Sequence, residues 1–279
     1  MSDRILLEVT DGVADVRLNR PDKLNALDNG LFRAIVEAGE SLKEDRSVRV
    51  VVLSGAGRGF CAGLDFGSFQ AMAGAGGGKA PAEPAPERGK GSGALGAIGE
   101  TEGRITHLGQ QAAWVWQELE VPVIAAIHGP ALGGGLQIAL GADLRIVAPD
   151  AKLSVLESRW GLIPDMTGTA ILPKLVGLER AKELTFTGRM VSGEEAVAIG
   201  LATKLAGDPH AAAMELAAEL VAKSPDALAQ GKRLLNLSGT RPLAEQLRDE
   251  RETMASLIGS PNQVEATMSY FEKRTPKFI

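Results

Sequence analysis

The chain has 279 residues, enough to bury a sizeable core as one large domain or as a domain with an appendage. Hydrophobic residues make up 44% and charged residues 23%, as in ordinary soluble proteins, and the net charge of −5 argues against a general nucleic-acid-binding protein, which needs a basic face. The single cysteine, Cys61, excludes an internal disulfide framework and fits a reducing, cytoplasmic compartment.

The first part of the chain predicts a hairpin, a helix and a buried strand. Residues Ile5–Val9 and Val13–Asn19 form short apolar or alternating runs around "TDG", which is typical of a β-hairpin. Asp28 is a candidate N-cap for a helix that runs to about Lys43, and "RVVVLSG" then predicts a buried strand. The N-terminal "MSDRILLEVTDG" has charged residues where a signal peptide needs a continuous apolar run.

The stretch from Ala71 to Gly99 differs from the rest of the chain in composition. It is dominated by Gly, Ala and Pro and has no hydrophobic periodicity. Such a segment buries too little apolar surface to offset its ordering entropy, so we expect a mobile loop. It is either an inert insertion or a lid or pocket wall. The second alternative is suggested by its position almost directly after "GFCAGLDF".

The stretch from Val121 to Ala142 contains no Asp, Glu, Lys or Arg, so hydropathy alone would suggest a membrane span. Pro122, Gly129, Pro130 and three consecutive glycines make a lipid-facing helix unfavourable. We interpret the stretch as a buried strand, a turn and the start of a helix. The next strand is "DLRIVA", and strands that alternate with helices predict an α/β architecture.

The pattern becomes helical almost throughout from about Gly193, with breaks at "GDP", "SPD", "RP" and "SPN". The sequence therefore predicts a core over residues 1–200 and a C-terminal helical region over residues 201–279. We expect the helical region to pack on the core or to reach another subunit.

Two glycine-rich turns carry the first chemical signal. They are "GRGFCAGLDF", after the strand "VVLSG", and "HGPALGGGLQIAL", at a predicted helix start. Backbone N–H groups in such turns can point into a cleft and hold an anion or oxyanion, although glycine clusters also simply permit tight packing. Neither turn matches a Walker phosphate loop or a Rossmann fingerprint. Two such turns with a carboxylate downstream suit chemistry that forms an enolate at a thioester.

Five segments carry a family resemblance over nearly the whole chain. They are "VRLNRPDKLNALD", "FCAGLDF", "AAIHGPALGGGLQIALGADLRI", "GLIPDMTGTAILPKLVGLERAKELTFTGR" and "AVAIGLATKL". Together they resemble the crotonase (enoyl-CoA hydratase/isomerase) superfamily. The resemblance implies an α/β fold in which ββα units form a spiral, a C-terminal helical region, and homotrimers or homohexamers. It also implies an acyl-CoA substrate, with coenzyme A as part of that substrate and no metal or redox cofactor.

The resemblance also assigns binding residues. The oxyanion hole falls on the backbone N–H groups of Leu64 and Gly134. The segments that line coenzyme A match at four positions: Lys23, Leu24, Ala26 and Ala62. Near the C-terminus, "SYFEKR" makes Tyr270 and Lys273 further candidates for this contact. From spacing alone, the two lysines are ordinary solvated surface charges.

The acid/base positions depart from the hydratase pattern, in which one glutamate lies just after the glycine cluster and a second lies in the next segment. Here Glu157 is acidic but the first position is Gln137, whose amide can orient a water yet cannot act as a general base. Asp165 follows Glu157 by eight residues. In the dienoyl-CoA isomerase branch, acids at these two positions work as a pair, although that branch usually has an acid at the Gln137 position too. A dehalogenase branch has a nucleophilic aspartate at the Asp165 position but lacks the acid at Glu157.

These residues leave several alternatives open. Asp165 precedes "MTGTAILPKL", and the local pattern favours an N-cap role worth about 1 kcal/mol, whereas the resemblance favours proton transfer. The leading hypothesis is isomerisation of an enoyl- or dienoyl-CoA by Glu157 and Asp165. One alternative is hydration by Glu157 with Gln137 positioning the water, and another is a non-catalytic acyl-CoA-binding protein.

Three further side chains have plain interpretations beside possible chemical ones. His128 precedes the "GPALGGG" turn and is expected to hydrogen-bond backbone there. Trp160 lies between the two acids and either shapes the acyl pocket or fills the core. Cys61 has no evident base partner, so we interpret it as a small buried residue.

Overall fold

The computed structural model of the chain describes residues 3–65, 67 and 103–279. The predicted loop from Ala71 to Gly99 therefore lies outside the described residues. No helix in the described part of the chain combines the length and apolar character that crossing a membrane requires.

The chain begins with the predicted hairpin. Strand β1 (Ile5–Thr10) pairs antiparallel with β2 (Val13–Leu18), and the two-residue turn between them is Asp11-Gly12. Both turn residues have positive φ, 50° and 82°, as the tight turns that match the twist of a hairpin require. Asp and Gly are residue types that accept this conformation, so the prediction from "TDG" is confirmed.

The first helix, α1 (Asn29–Glu44), begins where the sequence predicts. Asp28 accepts a hydrogen bond of 2.8 Å from the backbone N–H of Leu31, so it caps the helix. One face of the helix carries buried apolar side chains at helical spacing: Leu31, Ile35, Ala38 and Leu42.

Strands that the sequence predicts, and shorter ones that it does not, build two sheets. The remaining strands are β3 (Val50–Gly55), β4 (Val123–Ile127), β5 (Pro130–Leu132), β6 (Leu144–Val147), β7 (Lys152–Ser154), β8 (Val191–Ser192) and β9 (Lys204–Leu205). In the described residues, one sheet has the order β1-β2-β3-β4-β6-β9 and is parallel from β2 onward. The other has the order β5-β7-β8. The predicted α/β architecture is confirmed.

Helices cover both faces of the larger sheet. The helices after α1 are α2 (Leu108–Glu118), α3 (Gly134–Leu140), α4 (Gly168–Val176), α5 (Leu178–Thr187), α6 (Gly193–Ala198), α7 (Pro209–Val221), α8 (Pro225–Asn236), α9 (Leu243–Leu257) and α10 (Pro261–Glu272), of which α8–α10 pack mainly on one another. In β3, Val51 and Leu53 belong to the core shared with α1 and α2, while Val50 and Val52 belong to the core shared with α7. Because alternate side chains of a strand point to opposite faces, burial on both faces explains the unbroken apolar run "VVVL".

The boundary predicted at residue 200 falls between α6 and β9. Beyond it, β9 pairs with β6 in the larger sheet and α7 packs on β3 and β4, so the chain returns to the core before α8–α10. The pattern after Gly193 did not reveal β9, because a two-residue strand is too short to show a period.

Candidate active site

Two backbone segments run side by side at one end of the sheets. The N–H of Cys61 donates to the carbonyl of Pro130 at 2.9 Å, and the N–H of Leu132 donates to the carbonyl of Cys61 at 3.0 Å. These bonds form a parallel bridge between Cys61 and Ala131. Because the pairing is parallel, Leu64 and Gly134, three residues after Cys61 and Ala131, occupy corresponding positions in the two glycine-rich turns.

Each of these turns presents an unused backbone donor. The N–H of Leu27 donates to the carbonyl of Gly63 at 2.7 Å, and the N–H of Asp65 donates to the carbonyl of Leu27 at 2.8 Å. These bonds use the side of the segment that faces Leu27, so the N–H of Leu64 points to the opposite side. Gly134 is the first residue of α3, where N–H groups have no acceptor within the helix. Among the described residues, none accepts a hydrogen bond from either N–H, and both residues line one cavity. The pair can therefore hold an oxyanion.

Glycine is required where the second turn meets the acidic side chain. Gly133 has φ of +53°, and a Cβ there would lie 3.3 Å from Oε1 of Glu157. The backbone thus approaches this carboxyl group closely, and Glu157 lies beside the Gly134 donor.

Glu157 begins a 3-10 turn, Glu157–Trp160, after β7. Its Oε1 accepts a hydrogen bond of 2.6 Å from Nε2 of Gln137, while its Oε2 is buried without a hydrogen-bond partner among the described residues. Burial raises the pKa of Glu157, the bond from Gln137 opposes this rise, and the negative charge of Asp165 adds to it. A carboxyl group with a raised pKa can both accept and return a proton near neutral pH.

Asp165 is half-buried and lines the same cavity as Glu157. It is not the N-cap of α4, so the role that the local pattern favoured is wrong. Thr167 holds the cap position, with φ of +70° and no side-chain capping bond. The acceptor at this helix end is Oε1 of Gln137, which takes bonds from Met166 N at 2.8 Å and Gly168 N at 3.1 Å. Asp165 is left with its carboxyl group available to the cavity.

Gln137 is buried, and most of its amide is already engaged. Its oxygen accepts two backbone bonds and one amide hydrogen goes to Glu157, so only the second amide hydrogen is left for a water. The predicted alternative, in which Gln137 positions the water of a hydration reaction, therefore depends on that one hydrogen and remains a prediction.

The cavity that joins these groups has a volume of about 630 Å³. Its wall is mainly apolar and includes Phe32, Trp160, Leu162, Ile163 and Met166. Trp160 and Ile163 are 54% and 67% exposed, so they form the wall at the mouth of the cavity rather than filling the core. An apolar cavity of this size beside two carboxyl groups suits an acyl chain.

The residues predicted to contact coenzyme A fall into three groups. Ala62 lines the cavity, and its N–H donates to the carbonyl of Leu24 at 2.9 Å. Lys23 is exposed and Ala26 is buried on the same loop as Leu24, but these three are outside the cavity wall.

The structure does not bring Tyr270 or Lys273 to the cavity of the same chain. Tyr270 lies on α10 and is 80% exposed, and Lys273 is the exposed residue that ends this helix. Their predicted contact with coenzyme A remains a prediction.

The other two chemical candidates have structural roles. The ring Nε2 of His128 donates to the carbonyl of Gly57 at 2.9 Å, so it bonds backbone as predicted, but in the loop after β3 rather than in the "GPALGGG" turn. Cys61 is fully buried, its Sγ donates to the carbonyl of Asn25 at 3.0 Å, and burial raises the pKa of its thiol to about 12. A thiol of this kind is unreactive, so the interpretation as a small buried residue is confirmed.

Sequence reasoning missed Arg20, which joins the two loops that flank the cavity. Its guanidinium donates to the carbonyl of Ala26 and pairs with Asp28 at 3.3 Å and Asp65 at 3.2 Å. Asp65 follows the oxyanion donor Leu64 directly. Asp65 is 45 residues from Arg20 in the chain, so no local signal showed that Arg20 joins the two loops.

Comparisons with known proteins agree with this geometry. The family model for enoyl-CoA hydratase/isomerase matches residues 13–278. The chain is 33% identical to a human protein named enoyl-CoA hydratase domain-containing protein 2, mitochondrial, over 99% of this chain and 88% of that protein. It is 32% identical to the 1,2-epoxyphenylacetyl-CoA isomerase of Escherichia coli, over 100% of this chain and 99% of that enzyme.

A solved structure of an enoyl-CoA hydratase from Bacillus anthracis superposes with a TM-score of 0.84 and 29% identity, covering 99% of this chain and 98% of that chain. The predicted crotonase-like fold is therefore confirmed. This chain belongs to the enoyl-CoA hydratase/isomerase family.

Proposed function

We propose that the protein isomerises the double bond of an enoyl- or dienoyl-CoA thioester. The observation that carries the proposal is the pair of carboxyl groups, Glu157 and Asp165, which line one apolar cavity with Leu64 and Gly134, whose N–H groups have no acceptor among the described residues. An amide, Gln137, stands where a second glutamate would support hydration.

The oxyanion hole makes the first proton transfer possible. The thioester oxygen accepts hydrogen bonds from the N–H groups of Leu64 and Gly134, which stabilise the enolate that forms when C2 loses a proton. Glu157 acts at C2 because it lies against the Gly133 turn, next to the Gly134 donor. Its Oε2 has no hydrogen-bond partner among the described residues and is the atom that exchanges the proton.

The second proton transfer completes the isomerisation. The negative charge of the enolate spreads along the conjugated carbons, and Asp165, which must enter this step in its protonated form, gives its proton to the remote carbon and becomes a carboxylate. One C–H bond breaks and another forms, so the composition of the substrate is unchanged. A proton then passes from one carboxyl group to the other through solvent, which restores both groups for the next turnover.

Hydration is the second candidate, because proteins named as hydratases are among the relatives and Glu157 is retained. Adding water to a 2-enoyl thioester needs a base for the water and an acid for C2. With Asp165 at the remote carbon, Glu157 alone would have to serve both roles, with the remaining amide hydrogen of Gln137 holding the water.

A non-catalytic acyl-CoA-binding role is the candidate from another class, suggested by the amide at Gln137. Retention of Glu157 and of both oxyanion donors favours catalysis. Calorimetry beside turnover assays separates the two, since a binding protein would bind enoyl thioesters tightly and release them unchanged.

We also propose that coenzyme A enters as part of the substrate without a metal or redox cofactor, and that the chain forms homotrimers or homohexamers. Several large apolar side chains on α8–α10 are exposed in the single chain: Leu235 (75%), Leu243 (71%), Ile258 (67%) and Phe271 (73%). Surfaces of this kind mark contacts between subunits. Size-exclusion chromatography with light scattering gives the number of subunits directly.

The test of the proposed function is a panel of 2-enoyl, 3-enoyl and 3,5-dienoyl CoA thioesters with product identification by mass spectrometry and NMR. We expect 3-enoyl or 3,5-dienoyl substrates to become conjugated with the thioester, without a change in mass. Formation of a hydroxyacyl product, about 18 mass units heavier because one water is added, would support hydration instead.

A further inference from the structure

The side-chain amide of Gln137 has only one orientation that its neighbours allow. The backbone N–H groups of Met166 and Gly168 can only donate, so the oxygen of Gln137 must face them, at 2.8 and 3.1 Å. Its nitrogen is thereby turned toward Glu157, whose Oε1 lies 2.6 Å away. One buried amide therefore joins the start of α4 to the carboxyl group of Glu157.

The turn that carries Asp165 is shaped around this amide. Thr167 has φ of +70°, an unusual conformation for a β-branched residue, and its Oγ1 is buried without a partner among the described residues. Gly168 has no room for a side chain, because a Cβ would lie 2.7 Å from Oε1 of Gln137. The amide oxygen thus serves the helix end in place of a local cap and fixes the backbone next to Asp165.

The same amide determines where Glu157 can carry a proton. Its nitrogen donates to Oε1 and cannot accept, so a proton on Glu157 must lie on Oε2. The hydrogen bond also stabilises the ionised form of Glu157, against the effect of burial. Among the described residues, Asp165 is the charged group that acts on this carboxyl group, and Arg159 and His107 line the same cavity.

We infer that Gln137 is a positioning residue that holds the Asp165 turn and directs the exchangeable proton of Glu157 to Oε2, the oxygen that has no hydrogen-bond partner among the described residues. This inference rests on the proposed function, since it concerns the same two carboxyl groups. A glutamate at position 137 could reproduce the hydrogen bonds only while it kept a proton of its own. The amide keeps the arrangement at every pH.

The test measures the ionisation of Glu157 in the substrate-free enzyme, by infrared difference spectroscopy of the carboxyl band across a pH titration. The band is assigned by its absence in Glu157→Gln. In Gln137→Met, which removes the donor at similar length, we expect the midpoint of Glu157 to rise by about one to two pH units. An unchanged midpoint would overturn the inference.

A second variant covers the case in which Gln137→Met does not fold. In Gln137→Glu, two carboxyl groups share one proton, so the titration should split into two midpoints about three pH units apart. Two independent, unsplit titrations would contradict the inference.

A matched control separates positioning from mere loss of stability. Gln111 on α2 is also a buried glutamine and donates to Glu40 at 3.2 Å and Glu118 at 2.8 Å, but it does not line the cavity. Gln111→Met should lower stability without moving the midpoint of Glu157, and an equal shift in this control would overturn the inference.

The measurement needs no turnover, so its failure is distinguishable from failure of the proposed function. The proposed function fails if the wild-type enzyme isomerises no thioester of the panel. The inference fails only if the ionisation of Glu157 is indifferent to the side chain at position 137.

Discussion

Replacing Glu157 by glutamine tests the proposed proton transfer with little change in shape. The new side chain keeps an oxygen for the 2.6 Å bond from Gln137, and its NH₂ group takes the place of Oε2, which has no partner among the described residues. The amide can neither take nor return a proton near neutral pH. The variant therefore removes the chemistry and keeps the packing.

The expected loss of activity follows from the role of a positioned acid/base. In Glu157→Gln, kcat should fall about 10²- to 10⁴-fold, while KM changes little because the oxyanion donors and the apolar wall are intact. The assay follows conversion of a 3-enoyl thioester to the conjugated 2-enoyl product by its absorbance. A variant that retains most of the wild-type kcat would refute the assignment of Glu157.

The same substitution makes a prediction for stability, with a definite sign. Burial raises the pKa of Glu157 above 4.5, so the folded protein binds more protons than the unfolded chain between that value and the folded pKa. The resulting stability is complete below pH 4.5 and is lost as the pH rises through the folded pKa, by about 1.4 kcal/mol for each pH unit that separates the folded pKa from the unfolded one. Glutamine does not ionise, so Glu157→Gln should equal or exceed the wild type in urea unfolding at neutral pH.

Glu40 provides the matched control for this prediction. It pairs with Lys43 at 3.0 Å and Arg104 at 2.8 Å, away from the cavity. Glu40→Gln should therefore lower the unfolding free energy at neutral pH and leave turnover unchanged. If Glu157→Gln is destabilised as Glu40→Gln is, the carboxyl group is a paired structural acid and the account of its burial is wrong.

Three further predictions concern other parts of the site. Asp165→Asn should slow double-bond movement about 10²-fold and retain proton exchange at C2. Its unfolding free energy should stay within about 0.5 kcal/mol of the wild-type value. A loss of about 1 kcal/mol in urea unfolding would mean that Asp165 caps the helix after all. In Gly134→Ala the Cβ would lie 2.8 Å from the nearest side-chain atom, so the backbone donor should shift and kcat should fall about 10²-fold. The control is Gly231→Ala, in open space on α8, which should leave the kinetics unchanged and add about 0.8 kcal/mol of stability. Cys61, whose pKa burial raises to about 12, should resist iodoacetamide in the folded protein and react on unfolding, as intact-mass spectrometry shows; rapid alkylation of the folded chain would contradict its burial.

Local patterns predicted those parts of the fold that local physics determines. The run "VVVLSG" is apolar because both faces of Val50–Gly55 are buried, and Asp28 precedes α1 because its side chain caps that helix. The "TDG" turn needs residues that tolerate positive φ. In each case, one short segment contains both the signal and its cause.

The features that the sequence did not predict depend on contacts between distant segments. Strands β5, β7, β8 and β9 have two or three residues, too few to show a period. Asp165 looked like a helix cap because the true acceptor, Gln137, lies 29 residues away from Met166 in the chain. A separation of 20 residues likewise hid the bond from Gln137 to Glu157, because only the folded chain brings these two side chains together.

The most direct test of the paired acids is the position of deuterium after turnover in deuterated water. With a 3,5-dienoyl thioester, the wild-type enzyme should give a 2,4-dienoyl product with deuterium at the remote carbon C6 and exchange at C2. Asp165→Asn should keep the exchange at C2 and lose the label at C6. A product labelled equally at C6 by the wild type and by Asp165→Asn would contradict the pair, and a hydroxyl group at C3 would assign hydration instead.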